Sequence, residues 1–195
     1  VMLVIGNGES RKDIDINICG DIKVGCNAIF RDFYVNHLIC CDRRMVIEAQ
    51  KEHNYGAIYT RADWIDQFKL CGLVPQLPYK GNTKLDDPWH WGSGPYAVLL
   101  GTVIATKESE TPEIHMIGFD LDTGLYNNIY KGTENYNDVD SRPVDPSYWI
   151  YQIDKVFENF PEANFTYYNN KPWPTEQKNV CNKMLIEFEI ANETA

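Results

Sequence analysis

Residues 1–10, VMLVIGNGES, set five apolar residues directly against Gly6, Asn7 and Gly8. An apolar run without polar alternation suits a strand covered on both faces, the usual condition of a parallel strand in an α/β protein. Glycines at the carboxyl end of such a strand let a ligand approach the backbone closely, and open α/β sheets bind their ligands at that edge. The stretch therefore predicts an α/β fold whose first strand delivers Gly6, Asn7 and Gly8 to a ligand crevice.

Outward from this strand, apolar runs recur at residues 22–26, 37–41, 57–59, 114–118 and 165–168. Helices are predicted between them at 43–53, 62–70, 94–106 and 146–160. The last is the clearest, because Ile150, Ile153, Val156, Phe157 and Phe160 form one stripe, with Asp145 placed to cap it and Pro146 in its first turn. Segment 94–106 is apolar almost all round, as a buried helix is. This alternation predicts a single Rossmann-like domain over residues 1–195, with a mostly parallel sheet and helices on both faces. Two stretches break the order. Residues 70–92 carry Gly72, Pro75, Pro78, Gly81 and Pro88, and residues 122–145 are polar and rich in Asn, Asp and Tyr, so both are expected to be lid-like loops. The tail at 183–190, KMLIEFEI, reads as a strand with Leu185, Glu187 and Glu189 on one face, a short helix being the alternative.

Composition narrows the function. At 195 residues, 44% hydrophobic and 13% aromatic, the chain can bury one substantial core. A formal charge of −10 lacks the electrostatic footprint of a nucleic-acid binder, so no nucleic-acid partner is expected. No apolar run approaches the roughly 20 residues that span a bilayer. No signal-peptide pattern is visible either, and the expectation is a cytoplasmic protein, with a homo-oligomer left open. Cys19, Cys26, Cys40, Cys41, Cys71 and Cys181 form no CxxC pair. Three of them sit inside apolar runs, as reduced buried thiols do, and no metal site is expected from them.

Residues 89–97, WHWGSGPYA, open the buried helix. Ser93 and Gly94 can expose free N–H groups at its start, where the helix dipole favours a phosphate or carboxylate; the alternative is an ordinary N-cap with Ser93 as cap. Residues 114–120, IHMIGFD, bring Asp120 to the same sheet edge as Gly6 and Gly8. His90, between two tryptophans, could serve as acid, base or phosphate partner, or simply pack.

The order of GNGES, GCNAIFRDF (25–33), LICCD (38–42), GSGPYAVLL (92–100) and IHMIGFD resembles the Rossmann-like bacterial sialyltransferases of glycosyltransferase family 42. It also resembles the wider group containing motility-accessory-factor glycosyltransferases and 6-hydroxymethylpterin pyrophosphokinase-like proteins, and within it the short phage-encoded members. The likeness covers roughly residues 1–165 and lies in the succession of weak motifs. It implies a crevice for a cytidine monophosphate sugar donor: Gly6, Asn7 and Gly8 lining the nucleotide, Asn27 bonding ribose, base or phosphate, Asp42 at the end of LICCD, Ser93 and Gly94 holding the donor, and Asp120 near the ribose or sugar. Read from the residues alone, Asn7 could instead stabilise a turn, Asn27 tie loops together, and Asp120 cap the next turn.

The resemblance departs at the expected general base. Those transferases use a late histidine, whereas His37, His53, His90 and His115 all precede the end of IHMIGFD. Residues 138–146, DVDSRPVDP, offer Asp140, Arg142 and Asp145 there instead, and an aspartate base is chemically acceptable. Tyr126, Tyr130 and Tyr136 are candidates to assist a departing phosphate. The implied function is a glycosyltransferase taking a nucleotide sugar and a glycan or small hydroxyl acceptor, with no cofactor required. One alternative is a pyrophosphoryl transferase that holds Mg²⁺ through Asp86, Asp87, Asp120 and Asp122. The other is a nucleotide-binding protein without catalysis.

Overall fold

The computed structural model describes residues 1–19, 21–77, 91–121, 127–137 and 145–193. The first strand, β1 (Met2–Ile5), lies inside a parallel sheet, paired with β2 (Ile22–Cys26) on one side and β6 (Glu113–Ile117) on the other. From β1 the chain steps outward through β2, β3 (Val35–Ile39), β4 (Tyr55–Thr60) and the two-residue β5 (Gly72–Leu73). It then returns across the sheet to β6 and continues through β7 (Asn164–Tyr168) to β8 (Val180–Lys183). The resulting order is β5-β4-β3-β2-β1-β6-β7-β8, eight strands with every pairing parallel. The direction of winding reverses between β1 and β6. That is the topological switch point, where the loops leaving neighbouring strands diverge and leave a crevice.

Why β1 carries no polar alternation is now plain. Met2 and Val4 enter the core on one face, with α2 (Ser93–Thr106) and α3 (Ser147–Asn159), while Leu3 and Ile5 enter the other, with α1 (Arg43–Glu52) and α4 (Leu185–Glu193). Every residue of the strand is buried. α2 lies directly over it: a Cβ at Gly101 would stand 2.7 Å from Val4 Cγ2.

Two segments differ from the sequence expectation. Residues 62–70 form successive turns, not a helix, with Trp64 N–H donating to the Arg61 carbonyl and Gln67 and Phe68 N–H to that of Trp64. The Trp64 indole donates to the Cys41 carbonyl at 3.0 Å and Phe68 is buried, so side-chain anchors set this path. The tail splits into β8 and the helix α4, not one strand over 183–190. Glu187 accepts from the Met184 N–H at 2.6 Å, half of a capping box, and Phe188 packs against Tyr168 at 5.1 Å. At α3, Pro146 holds the N-cap position and not the first turn, and Asp145, one residue before it, accepts from Ser147 N–H at 3.0 Å.

Candidate functional site

A cavity of about 260 Å³ opens at the switch point. Its walls come from the turn after β1, the end of β2, the start of α2, the end of β6, residues 127–137 and the first turns of α3. Gly6, Asn7, Gly8, Asn27, Ser93, Gly94 and Asp120 all line it, so segments far apart in sequence meet as the strand ends converge. The glycines are required by close approach. A Cβ on Gly6 would strike the Gly118 carbonyl oxygen, and one on Gly8 would stand 2.5 Å from the Asp120 carboxyl carbon. Gly118 turns with φ of +72°, a left-handed conformation that favours glycine, and its carbonyl accepts from Gly8 N–H at 2.8 Å.

Several of these side chains are committed within the fold. Asn7 Nδ2 donates to the Cys26 carbonyl at 2.8 Å while Asn7 Oδ1 accepts from Arg11 Nη2 at 2.8 Å. Asn7 is thus a brace between two strand ends and shows the cavity its backbone and one edge. Asp120 Oδ2 accepts from Ser10 N–H, and its Oδ1 accepts from the Ser10 hydroxyl at 2.6 Å and from Asn169 Nδ2 at 2.9 Å. Ser93 is not the helix cap: Gly92 holds that position, and Ser93 Oγ accepts from Cys41 N–H at 3.1 Å, tying α2 to the end of β3. The Ser93 and Gly94 N–H groups belong to the first turn of α2, where no intrahelical acceptor exists.

Asp42 stands apart from the lining, capping α1 by accepting from Arg44 N–H at 2.8 Å. Tyr130 is also outside the lining; its hydroxyl donates to Asp32 at 2.8 Å, and burial pushes its phenol up to about 12. Asp145 is exposed at the rim, next to the lining residue Pro146, and the Ser147 N–H holds its carboxyl below the usual range. His90, Tyr126, Asp140 and Arg142 lie outside the described residues, as do Asp86, Asp87 and Asp122.

Of the rest of the lining, only Tyr136 was singled out in the sequence as a candidate site residue. Asn127 and Asn128 accept from the N–H groups of Glu9 and Tyr130 through their Oδ1 atoms. Their Nδ2 groups have no acceptor among the described residues, and the Asn27 and Asn137 carboxamides have no partner there either. Tyr136 accepts from Ala28 N–H at 3.2 Å, and Trp149 brings its indole nitrogen to within 3.0 Å of the position a Gly92 Cβ would occupy. The Asn-rich and Tyr-rich composition of the polar loop was the available signal. Arg31 holds that loop in place, donating to Thr133 Oγ1 at 2.7 Å and to the Glu134 carbonyl at 2.8 Å while paired with Glu48. Burial pushes the Cys26 thiol, also in the wall, up to about 12, so it stays protonated and unreactive at neutral pH.

Chemically, the cavity offers carboxamide groups without partners among the described residues, the rings of Phe119, Tyr136 and Trp149, and helix-start N–H groups. Among the described lining residues there is no Lys or Arg, and Asp120 is the one carboxylate. No group of three or more metal-ligating side chains occurs among the described residues. No helix of the described residues is long and apolar enough to cross a membrane. No family model, curated protein or solved structure matches the chain.

Proposed function

We propose that the protein is a nucleotide-sugar-dependent glycosyltransferase of the sialyltransferase-like kind, binding its donor in the switch-point cavity and passing the sugar to a hydroxyl acceptor. The observation that carries this reading is the set of carboxamides at Asn27, Asn127, Asn128 and Asn137 around one cavity at the carboxyl ends of parallel strands. A carboxamide presents both a donor and an acceptor, which suits the vicinal hydroxyls of a ribose or sugar ring and the edge of a base. Tyr136 and Trp149 add flat apolar surface for a ring, and polar groups that fix orientation beside aromatic surface are usual in a small-molecule site. In the transfer, the acceptor oxygen bonds the anomeric carbon as the bond from that carbon to the phosphate oxygen breaks. The acceptor proton passes to a base, for which Asp145 is the candidate among the described residues, ionised throughout the neutral range.

A nucleotide-binding protein without catalysis is the second reading. It is favoured by the commitment of Tyr130 to Asp32 and of Asp145 to the start of α3. The Mg²⁺-dependent pyrophosphoryl transferase draws less support, since both oxygens of Asp120 already accept hydrogen bonds within the fold.

A thermal-shift screen of nucleotides and nucleotide sugars, with and without Mg²⁺, followed by a donor-turnover assay, separates the three. Selective binding of the native state raises the melting temperature. Donor stabilisation without metal, with release of the nucleoside monophosphate, is the expected result. Binding without turnover supports the non-catalytic reading, and stabilisation only by a triphosphate with Mg²⁺ supports the kinase-like one.

A further inference from the structure

Lining residues of the cavity are held by a buried charge that the sequence does not advertise. Arg11 follows the glycine turn on a 3₁₀ helix (Glu9–Arg11) and is only 2% exposed. A guanidinium stays protonated in a protein, so it cannot relieve its burial by losing the charge. Yet no carboxylate among the described residues forms an ion pair with it. Its partners are neutral oxygens: the Gly6 carbonyl at 2.7 Å from Nε, Asn7 Oδ1 from Nη2, and the Tyr130 hydroxyl. Asp32 lies one hydrogen bond beyond, through Tyr130, and is itself exposed to solvent. Taking an unpaired charge out of water costs several kcal/mol, which an opposite charge normally offsets.

We infer that an anionic group of the ligand, the phosphate of a nucleotide, supplies that opposite charge from the cavity side, with Arg11 acting across the one layer of backbone that separates them. Gly6 and Asn7, to which Arg11 donates, both line the cavity, and so does Gly118, whose Cβ position is 3.1 Å from Arg11 Cδ. Arg11 itself is absent from the lining but is in direct contact with three residues that form it. A charge in a low-dielectric wall acts over such a distance far more strongly than it does through water. The lining itself contributes neutral donors and the start of α2, whose dipole has the same sign. Asp120 opposes this field, though its carboxylate is turned to Ser10 and Asn169. Arg11 is a positioning residue as well, because it fixes the Asn7 brace.

The inference rests on reading the cavity as a nucleotide site, and the two can fail separately. Cytidine, cytidine monophosphate and inorganic phosphate would be titrated calorimetrically into the full chain and into Arg11→Met and Arg11→Lys. The monophosphate is expected to bind at least tenfold more tightly than cytidine, and inorganic phosphate to compete with it. Arg11→Met should abolish the tenfold advantage of the monophosphate over cytidine, a change in their ratio that mere loosening of the fold or of the Asn7 brace, which would weaken both alike, would not produce, and Arg11→Lys should retain part of it. Equal affinities in the parent chain, or an advantage that survives in Arg11→Met, would overturn the inference while leaving a nucleoside or sugar site standing. Phosphate binding that depends on Arg11, with neither cytidine nor its monophosphate binding, would keep the anion site and remove the nucleotide reading. Should Arg11→Met not fold, the parent chain decides: its urea midpoint must rise with phosphate and not with chloride at equal ionic strength, and failure to do so rejects the site.

Discussion

Gly94 is where ligand and fold can be separated by one methyl group. A Cβ there meets only Phe119 Cε1, at an ordinary 3.6 Å, whereas the same atom at Gly6 or Gly8 collides with backbone or carboxylate. Gly94→Ala is therefore expected to leave stability unchanged or to raise it by up to about 1 kcal/mol, because alanine is the better helix former. Since Gly94 lines the cavity beside the free N–H groups of α2, the methyl should crowd the donor and weaken binding by about tenfold, near 1.4 kcal/mol. Denaturation and calorimetric titration on the same preparation check both halves, and unaltered affinity would remove α2 from the site. Asn7 and Asn27 diverge at this scale. Both were read as ligand groups, but the Asn7 carboxamide is consumed at both ends by Cys26 and Arg11, while that of Asn27, held at a left-handed φ of 52°, has no partner among the described residues.

Between elements, the decisive contact is that of α2 on β1. Gly101 lets the helix axis approach the strand until its missing Cβ would press on Val4 and Met2, both buried. Gly101→Val should therefore destabilise the protein by about 3 kcal/mol, the upper end of the usual range for overpacking, read as a lower urea midpoint. The all-round apolar character of α2 follows from the same burial and was legible as such. Less legible were the turns at 62–70 and the tail. In the former, the Trp64 indole bond to Cys41 overrides a helical period; in the latter, Glu187 and Phe188 act at helical spacing although the apolar and acidic residues also alternate as a strand would.

Over the whole molecule, the parallel sheet places His37 on β3 and His115 on β6, separated by β2 and β1, each in partly buried surroundings. Burial lowers both imidazoles from their ordinary value of 6.5. The unfolded chain therefore takes up protons in a range where the folded chain still refuses them. Stability linked to these groups is complete above about pH 6.5 and is lost as the pH falls from there toward the folded-state values. His115→Gln should reduce the loss of stability between pH 7 and pH 5, as measured by urea denaturation at each pH. An NMR titration should place both imidazoles below 6.5. An undiminished loss in the variant would assign the acid sensitivity to other groups.

From the sequence alone, the α/β class, the buried parallel strand that ends at Ile5, and the meeting of the GNG turn, the Ser93 helix start and the IGFD strand end at one edge could be derived. Each of these depends on local pattern: apolar runs with no alternation, glycines where strands end, and a polar start to an apolar helix. Only the tertiary structure decided which groups remain free for a ligand. Hydrogen-bond partners distant in sequence consume Asn7, Asp120 and Tyr130, Asp42 is taken up locally as the cap of α1, and the polar loop contributes Asn127, Asn128 and Asn137. Arg11 shows the limit most clearly. Nothing local distinguishes it from a surface arginine, and its charge is buried because Gly6, Asn7, Gly118 and Tyr130, from three separate parts of the chain, close around it.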